Sequence, residues 1–325
     1  MKYSLMSLMV DSELRHERVN FILGAMLAGA GIREAPASAD EAYRLLNELG
    51  IPVKNGTASF EDMVCFAKEN NFDGLDLMYF QMEAEGRELR AILEKYGVVL
   101  SAVNIIMPFS DAVDEDRFQE LLHETQHAID EAAEAGTKQI LLVPGGYGLA
   151  EGQTREGAFQ VMTRGLRESI AYARGKNVAV STETLETTSV PWASLGEMRR
   201  VFDAVPELMY THDSGNPLVA NEDPLMLFRE FQDRVVSVHF KDLGYTLEEE
   251  NSYRCMDGRR TKLVPPGTGA VDFQELIRLL LLRRYDGFIA LEGSRPAADK
   301  WQAAIRALEY FREMEAKIAQ DMETE

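Results

Sequence analysis

Short apolar runs alternate with longer helical patterns along most of this 325-residue chain. The short runs are rich in Val, Ile and Leu, which is typical of buried strands in a parallel sheet. Alternating strands and helices indicate the α/β class, and eight such repeats predict a closed (β/α)8 barrel. The predicted strands are Tyr3–Met9, Gly74–Tyr79, Leu100–Ile105, Gln139–Val143, Val178–Glu183, Leu208–Asp213, Val235–Phe240 and Phe288–Glu292.

Helical periodicity fills most of the intervals between these strands. Ser59 precedes one helical pattern, and Asp62 follows three positions later, as in an N-terminal capping box. No Pro-rich or Ser-rich linker divides the chain, so we predict one barrel domain over residues 1–325. The predicted helices are Phe60–Asn70, Gly86–Tyr96, Asp116–Ala135, Arg155–Lys176, Leu195–Ala204, Pro224–Phe231 and Asp272–Arg284, with a last one in Asp299–Glu325.

Two segments are longer than a minimal barrel needs. Residues 11–55 follow the first strand and contain helical patterns, so they predict a helical insertion. Residues 243–266 follow the seventh strand and predict a long loop. Long connections in compact domains often form lids or binding surfaces, although a plain surface excursion is the alternative. We favour a lid for the second segment because it follows the strand that carries His239.

Four of the predicted strands end on side chains that bind metal ions. In a (β/α)8 barrel the C-terminal strand ends meet at one face, so residues spread over the chain converge there. Carboxylates with one imidazole suit Mn²⁺, Mg²⁺, Fe²⁺ or Zn²⁺ better than a thiophilic metal. The four residues are Glu183, Asp213, His239 and Glu292, and the inward neighbours two positions earlier are the small residues Ser181, Thr211, Ser237 and Ala290.

Charge and cysteine content narrow the function classes. The chain has 34 Lys and Arg against 54 Asp and Glu, a formal net charge of −20. This charge argues against nucleic acid as a partner because phosphate binding needs a basic surface. Two distant cysteines suggest no disulfide framework, and no signal-peptide or membrane-length apolar run is present. We therefore expect a cytoplasmic protein without a membrane partner.

The chain contains the motifs Thr182-Glu183, Asp213-Ser214-Gly215-Asn216, Val238-His239-Phe240-Lys241-Asp242, Gly267-Thr268-Gly269 and Ala290-Leu291-Glu292. These motifs resemble those of the xylose-isomerase-like barrel family of sugar isomerases and epimerases. The resemblance implies that Glu183, Asp213, His239 and Glu292 hold one divalent ion. We expect Mn²⁺ first, with Mg²⁺, Fe²⁺, Co²⁺ and Zn²⁺ as alternatives. The resemblance also implies that Glu183 and Glu292 act as the pair of residues that transfers protons.

Two positions depart from the pattern of the ketose epimerases in that family. Those enzymes carry a His three positions after the metal-binding Asp, where this chain has Asn216. They also carry an Arg shortly after the seventh-strand His, where this chain has Lys241, Asp242 and Tyr245. The chain is also similar to the large subunit of enzymes that cleave C-glycosides.

The leading functional hypothesis is a sugar isomerase or epimerase that removes a proton next to a carbonyl and passes through an enediolate. The alternative is a lyase on the same scaffold, either a keto-inositol dehydratase or the large subunit of a C-glycoside deglycosidase. A non-catalytic binding subunit is a third class. The expected partners are a small-molecule carbohydrate or polyol ketone and either further copies of this chain or a small second subunit.

The remaining candidate residues surround the metal-binding set. Lys241 would steady an enolate oxygen, with a salt bridge to Asp242 or Glu292 as the alternative. Five further residues are predicted to bind substrate, and these are Asn104, Tyr147, Glu186, Asn216 and Asp242.

Overall fold

Eight parallel strands close into a barrel, which confirms the predicted fold class. The computed structural model describes residues 1–32, 36–51, 53, 55–85, 88–146, 148–293 and 299–324. With strands numbered in chain order, the barrel runs β1-β2-β3-β4-β5-β6-β7-β11 and closes between β11 and β1. Its strands are β1 (Lys2–Met6), β2 (Gly74–Met78), β3 (Leu100–Ile106), β4 (Gln139–Val143), β5 (Ala179–Thr182), β6 (Met209–Asp213), β7 (Val235–Phe240) and β11 (Phe288–Leu291).

Helices lie between the barrel strands and surround the barrel. They are α1 (Phe21–Gly29), α2 (Ala39–Glu48), α3 (Phe60–Glu69), α4 (Tyr79–Glu85), α5 (Glu88–Tyr96), α6 (Glu115–Glu134), α7 (Arg155–Arg174), α8 (Leu195–Ala204), α9 (Pro224–Phe231), α10 (Phe273–Leu282) and α11 (Lys300–Thr324). The predicted capping box at Ser59 and Asp62 is confirmed. No helix in the described ranges is long and apolar enough to span a membrane.

The core fills the space between the outer faces of the strands and the helices. Phe240 on β7, Phe273 on α10 and Phe311 on α11 pack together with ring centroids 4.7–5.2 Å apart. Small polar side chains fill the barrel interior below the C-terminal strand ends. Ser181 Oγ lies 2.7 Å from Thr211 Oγ1, so these two hydroxyls satisfy each other in a fully buried layer.

Four predicted strands extend too far at their C-terminal ends, and those predicted to end at Glu183 and Glu292 do so by one residue. β1 ends at Met6, and a 3-10 turn follows over Ser7–Met9. β2 ends at Met78, and Tyr79 begins α4. The Ser7 hydroxyl accepts a hydrogen bond from the Met78 amide at 3.1 Å, so a side chain takes over where the backbone pairing stops. The extensions of β1 and β2 were apolar, and an apolar run does not by itself separate a strand from an adjoining buried turn.

The long connection predicted over residues 243–266 is present, but it contains secondary structure of its own. This segment contains β8 (Leu243–Thr246), β9 (Tyr253–Arg254) and β10 (Arg260–Leu263), which form an antiparallel sheet in the order β8-β10-β9. Asp257 and Gly258 lie in the turn between β9 and β10, and Gly258 has a φ of +86°. An Asp-Gly pair favours such turns because glycine reaches positive φ without strain. The strands are only two to four residues long, too short for an alternating pattern to show.

The segment after β1 is helical, as predicted. Helices α1 and α2 share a small apolar cluster of their own, formed by Leu23, Leu27, Ala39, Ala42 and Leu46. Asp11 connects the beginning of this segment to the barrel by accepting a hydrogen bond from Gln81 Nε2 at 2.7 Å. His16 Nε2 lies 3.4 Å from the same Asp11 side chain.

Candidate metal centre and active site

The four predicted metal-binding residues converge at the C-terminal end of the barrel. Glu183 directly follows β5, Asp213 ends β6 and His239 lies near the end of β7. One ligand atom from each of these three lies within 4.8 Å of the other two. Glu292 directly follows β11, and its Oε2 lies 3.6 Å from His239 Nδ1. Barrel closure therefore brings together residues that are more than 100 positions apart in the chain.

The atoms that face one another in this cluster lack hydrogen-bond partners. Among the described residues, Glu183 Oε2, Asp213 Oδ2 and His239 Nδ1 are fully buried and accept or donate no hydrogen bond. Asp213 shows why one oxygen remains available: its Oδ1 accepts the backbone amides of Gly215 at 2.8 Å and Asn216 at 2.6 Å. Buried polar atoms normally have partners. Two or three carboxylates with one imidazole fit a divalent cation in this position.

Lys241 is the buried cation of the site. Its Nζ lies 2.6 Å from Glu186 Oε1, 2.7 Å from Glu292 Oε1 and 3.4 Å from Asp213 Oδ2. The salt bridge to Glu292, foreseen as the alternative role of Lys241, is therefore present. Lys241 also lines the cavity above the cluster.

The two glutamates differ in their electrostatic surroundings. Burial raises the pKa of Glu183 above its ordinary value, and the charges of His239 and Lys241 oppose this rise only in part. Burial also acts to raise the pKa of Glu292, but Lys241 and His239 outweigh it and lower that pKa to about 2. Groups of one chemical type with pKa values pushed apart by their surroundings are characteristic of acid–base sites.

The cavity at the barrel mouth has two unlike walls. Glu183, Glu186, Lys241 and Glu292 supply the charged wall. The opposite wall is mostly apolar, with Asn104 as the polar side chain among its described residues. Its apolar members are Met6, Leu8, Met78, Ile106, Leu141 and Val143. A ligand in this cavity would therefore present its reacting polar atoms to the last strands of the barrel.

Asn216 and Asp242 are not among the residues that line this cavity, and their predicted contact with substrate stays a prediction. Asn216 is fully buried, accepts from Lys241 Nζ at 3.1 Å and donates to the Thr184 carbonyl at 2.6 Å. Asp242 Oδ2 accepts the backbone amides of Gly267 and Gly269 at 2.8 and 2.9 Å. Asn216 therefore positions Lys241, and Asp242 anchors the turn that leads to α10.

Tyr147, which follows β4 in the sequence, was also predicted to bind substrate. It lies outside the described residues, so this role stays a prediction. Gly145 lines the cavity, and a Cβ there would lie 2.1 Å from Ser110 Oγ and 2.6 Å from the Trp192 ring. This glycine is therefore required by packing against Ser110 and Trp192.

Asp76 on β2 was missed by the sequence reasoning. It is 1% exposed, and its Oδ2 lies 3.7 Å from His239 Nε2 on the side of the imidazole away from Glu183 and Glu292. Asn104 Nδ2 donates a hydrogen bond to Asp76 Oδ1. The available signal was a lone carboxylate inside the apolar strand Gly74-Leu75-Asp76-Leu77-Met78.

Comparison with known proteins agrees with this geometry. A family model described as xylose isomerase-like TIM barrel matches residues 64–313. The chain belongs to this family. The resemblance that the motifs indicated is thereby confirmed.

One curated relative is inosose dehydratase from Lacticaseibacillus casei, 31% identical over 105 residues that cover 30% of this chain and 35% of the relative. The chain thus spans about a third of the length of that relative. Among solved structures, 3-keto-D-glucoside 4-epimerase from E. coli superposes with a TM-score of 0.64 at 19% identity, covering 78% of this chain and 93% of the epimerase.

A third similar structure carries a metal ion. It is the IOLI protein with a bound zinc atom, with a TM-score of 0.65, 15% identity, and coverage of 80% of this chain and 94% of that protein. At these identities the likeness of both structures is one of fold. The cluster of Glu183, Asp213 and His239 together with this family membership indicates a divalent metal site.

Proposed function

We propose that this protein is a divalent-metal-dependent sugar isomerase or epimerase that removes a proton from the carbon next to a carbonyl. One observation carries the proposal. Two glutamates that follow different strands, Glu183 buried and Glu292 largely so, converge on one imidazole nitrogen, with Glu183 Oε2 at 3.3 Å and Glu292 Oε2 at 3.6 Å from His239 Nδ1. Such a pair can take a proton on one carboxylate and return one from the other.

In this proposal Asp213 and His239 act only as ligands, whereas Glu183 and Glu292 both bind the ion and transfer protons. A bound divalent ion, expected to be Mn²⁺, would polarise the substrate carbonyl and lower the barrier to removal of the adjacent proton. The carbonyl compound binds with its reacting carbon between the two glutamates. One glutamate accepts the proton, and the other donates a proton to the same carbon, giving the epimer. Donation to the former carbonyl carbon instead, with the hydroxyl proton passing to the former carbonyl oxygen, gives the isomer.

Lys241 and Glu186 provide the polar contacts next to this pair. The Lys241 ammonium group donates a hydrogen bond to the oxygen on which negative charge develops, which is effective because the group is buried and already in place. Glu186, which lines the same cavity, accepts a hydrogen bond from a substrate hydroxyl. Asn104 contributes Oδ1, which has no hydrogen-bond partner among the described residues.

The second candidate is a lyase that begins with the same proton removal. The match to inosose dehydratase favours this reading, since that relative carries a dehydratase name. After proton removal, loss of a hydroxyl from the β-carbon as water requires one proton donor at the leaving oxygen. The Lys241 ammonium group, 2.6 Å from Glu186 at the cavity wall, can supply it. Cleavage of a 3-keto C-glycoside follows the same logic and would involve a small second subunit.

Proton exchange with solvent tests both candidates. The Mn²⁺-loaded protein is incubated in D₂O with ketoses, keto-inositols and 3-keto-glycosides, and deuterium is followed by NMR. Deuterium in one substrate, absent with His239→Ala, supports the proposal. An epimerised or isomerised product identifies the first candidate, and a dehydrated or cleaved product identifies the second. Full exchange by the His239→Ala protein would contradict the assigned site.

A further inference from the structure

His239 has two ring nitrogens with different surroundings. Nδ1 faces Glu183 and Glu292, whereas Nε2 faces Asp76 Oδ2 at 3.7 Å. Within the described part of the chain, Nε2 and Asp76 Oδ2 are both fully buried and neither makes a hydrogen bond. Each of these two atoms is therefore available as a hydrogen-bond partner for the other. Closing the contact to a charge-assisted hydrogen bond needs a movement of roughly 1 Å.

Asp76 is itself held from the other side. Asn104 on β3 donates from Nδ2 to Asp76 Oδ1, and the same amide lies 3.3 Å from the Leu77 carbonyl. One carboxylate oxygen is therefore fixed by a neighbouring strand, and the other is left pointing at the imidazole. Three successive side chains, Asn104, Asp76 and His239, connect β3 through β2 to the cluster on β5, β6 and β7 across the barrel interior.

A carboxylate on the far nitrogen of an imidazole determines which nitrogen carries the proton. With the proton on Nε2, Nδ1 keeps its lone pair for an ion, and the ring plane is held in place. We propose that Asp76 is a positioning residue for His239, and that Asn104 orients Asp76 for this task. The inference rests on the proposed metal site, since it assigns a role toward the ion that His239 would bind.

The test measures metal binding without substrate. Zn²⁺ and Mn²⁺ affinities are determined by competition with a chromophoric chelator for the wild-type protein, Asp76→Ala, Asp76→Asn and Asn104→Ala. The matched control is Asp73→Asn at the opposite end of β2, where the carboxylate accepts the Tyr3 amide at 2.8 Å. We expect Asp76→Ala to weaken binding about 10–100-fold, the range observed for partners of metal-binding histidines.

Smaller effects are expected for the other variants. Asp76→Asn keeps an acceptor for the Nε2 proton but loses the charge, so its affinity falls between those of the wild type and Asp76→Ala. Because Asp76→Asn also keeps the volume of the side chain, its affinity still tests the inference if Asp76→Ala does not fold. Asn104→Ala lowers affinity by less than Asp76→Ala. Asp73→Asn changes affinity by less than about twofold.

A spectroscopic measurement separates positioning from a merely structural role. In protein labelled with ¹⁵N-histidine, the five histidines are observed by NMR in the Zn²⁺-loaded state, and His239→Gln identifies the signal of interest. We expect a protonated Nε2 and a zinc-bound Nδ1 in the wild type, and loss of the downfield shift of the Nε2 proton in Asp76→Ala, where no carboxylate faces that proton.

Wild-type affinity in Asp76→Ala, or zinc bound at Nε2, would overturn the inference while leaving the metal site intact. Absence of metal binding by the wild-type protein would instead contradict the proposed function.

Discussion

The two halves of the barrel contribute unlike surfaces to one cavity. Strands β1–β4 and their loops supply apolar side chains such as Met6, Met78, Ile106 and Val143. Strands β5, β6, β7 and β11 end in the carboxylates, the imidazole and the buried lysine. Asp76 and Asn104 are buried carboxylate and amide side chains on the apolar half, and Asp76 lies 3.7 Å from His239 of the opposite half. The difference suggests that one half carries the chemistry while the other shapes the space above it.

Replacing a glutamate of the charged half should have the largest effect. We expect Glu183→Gln or Glu292→Gln to lower the rate of solvent-deuterium exchange by about 10²–10⁴-fold, the usual contribution of a positioned acid or base. Metal content is measured in parallel, so that loss of the ion is separated from loss of proton transfer. Glu222→Gln, which lies outside the cavity, is the control. Full exchange by both variants with metal bound would remove the proton-transfer assignment.

Removing the buried positive charge of Lys241, in the same half of the barrel, should lower the stability of the protein. The Lys241→Met substitution leaves the negative charges of Glu186, Asp213 and Glu292 close together, with no lysine to compensate them. We expect the free energy of unfolding to fall by about 3–5 kcal/mol in chelator, as for other broken buried ion pairs. Added Zn²⁺ or Mn²⁺ should restore part of this loss because the ion replaces positive charge.

Urea unfolding with and without the ion measures this effect. Lys262→Met breaks a more exposed pair with Glu248 and should change the free energy of unfolding by less than about 1 kcal/mol. Equal losses in the two variants would show that Lys241 has no special electrostatic role.

A change in the apolar half should affect the substrate and not the ion. Ile106→Val removes one methyl group from the cavity wall, so we expect a loss of about 0.5–1.5 kcal/mol in stability. We expect KM to rise while the affinity for Zn²⁺ stays within about twofold of the wild type. Steady-state kinetics and chelator competition provide the two readouts. A large drop in metal affinity would break the proposed division between the walls.

The smallest effect is expected for His16, which lies outside both cavity walls, at the beginning of the helical insertion. Burial lowers the pKa of His16, but the hydrogen bond and charge of Asp11 outweigh it and raise this pKa above its ordinary value. A raised pKa in the folded state stabilises the fold below about pH 6.5, and this contribution is lost as pH rises through the folded-state pKa.

His16→Gln should therefore be less stable than the wild type near pH 6, and the difference should shrink toward pH 8. Urea unfolding at the two pH values tests this. A difference that grows with pH would contradict the stated direction of the shift.

Several features of this protein were determined by the sequence alone. The alternation of apolar runs and helical patterns predicted the eight-stranded barrel, since burial on both faces of a parallel strand leaves a strong local signal. Glu183, Asp213, His239 and Glu292 were recognisable because each stands at a strand end, and barrel closure makes such ends meet. The capping box at Ser59 was similarly a local pattern.

Only the tertiary structure decided which polar side chains reach the cavity. Asn216 and Asp242 belong to the motifs that carry the resemblance, yet Asn216 accepts a hydrogen bond from Lys241 and Asp242 accepts one from the backbone amide of Gly267. Asp76 lies more than 160 positions before His239, and nothing in its surroundings in sequence points to that ring. Hydrogen bonds between distant residues depend on register and side-chain direction across the barrel. Local sequence patterns contain no information on register or side-chain direction across the barrel.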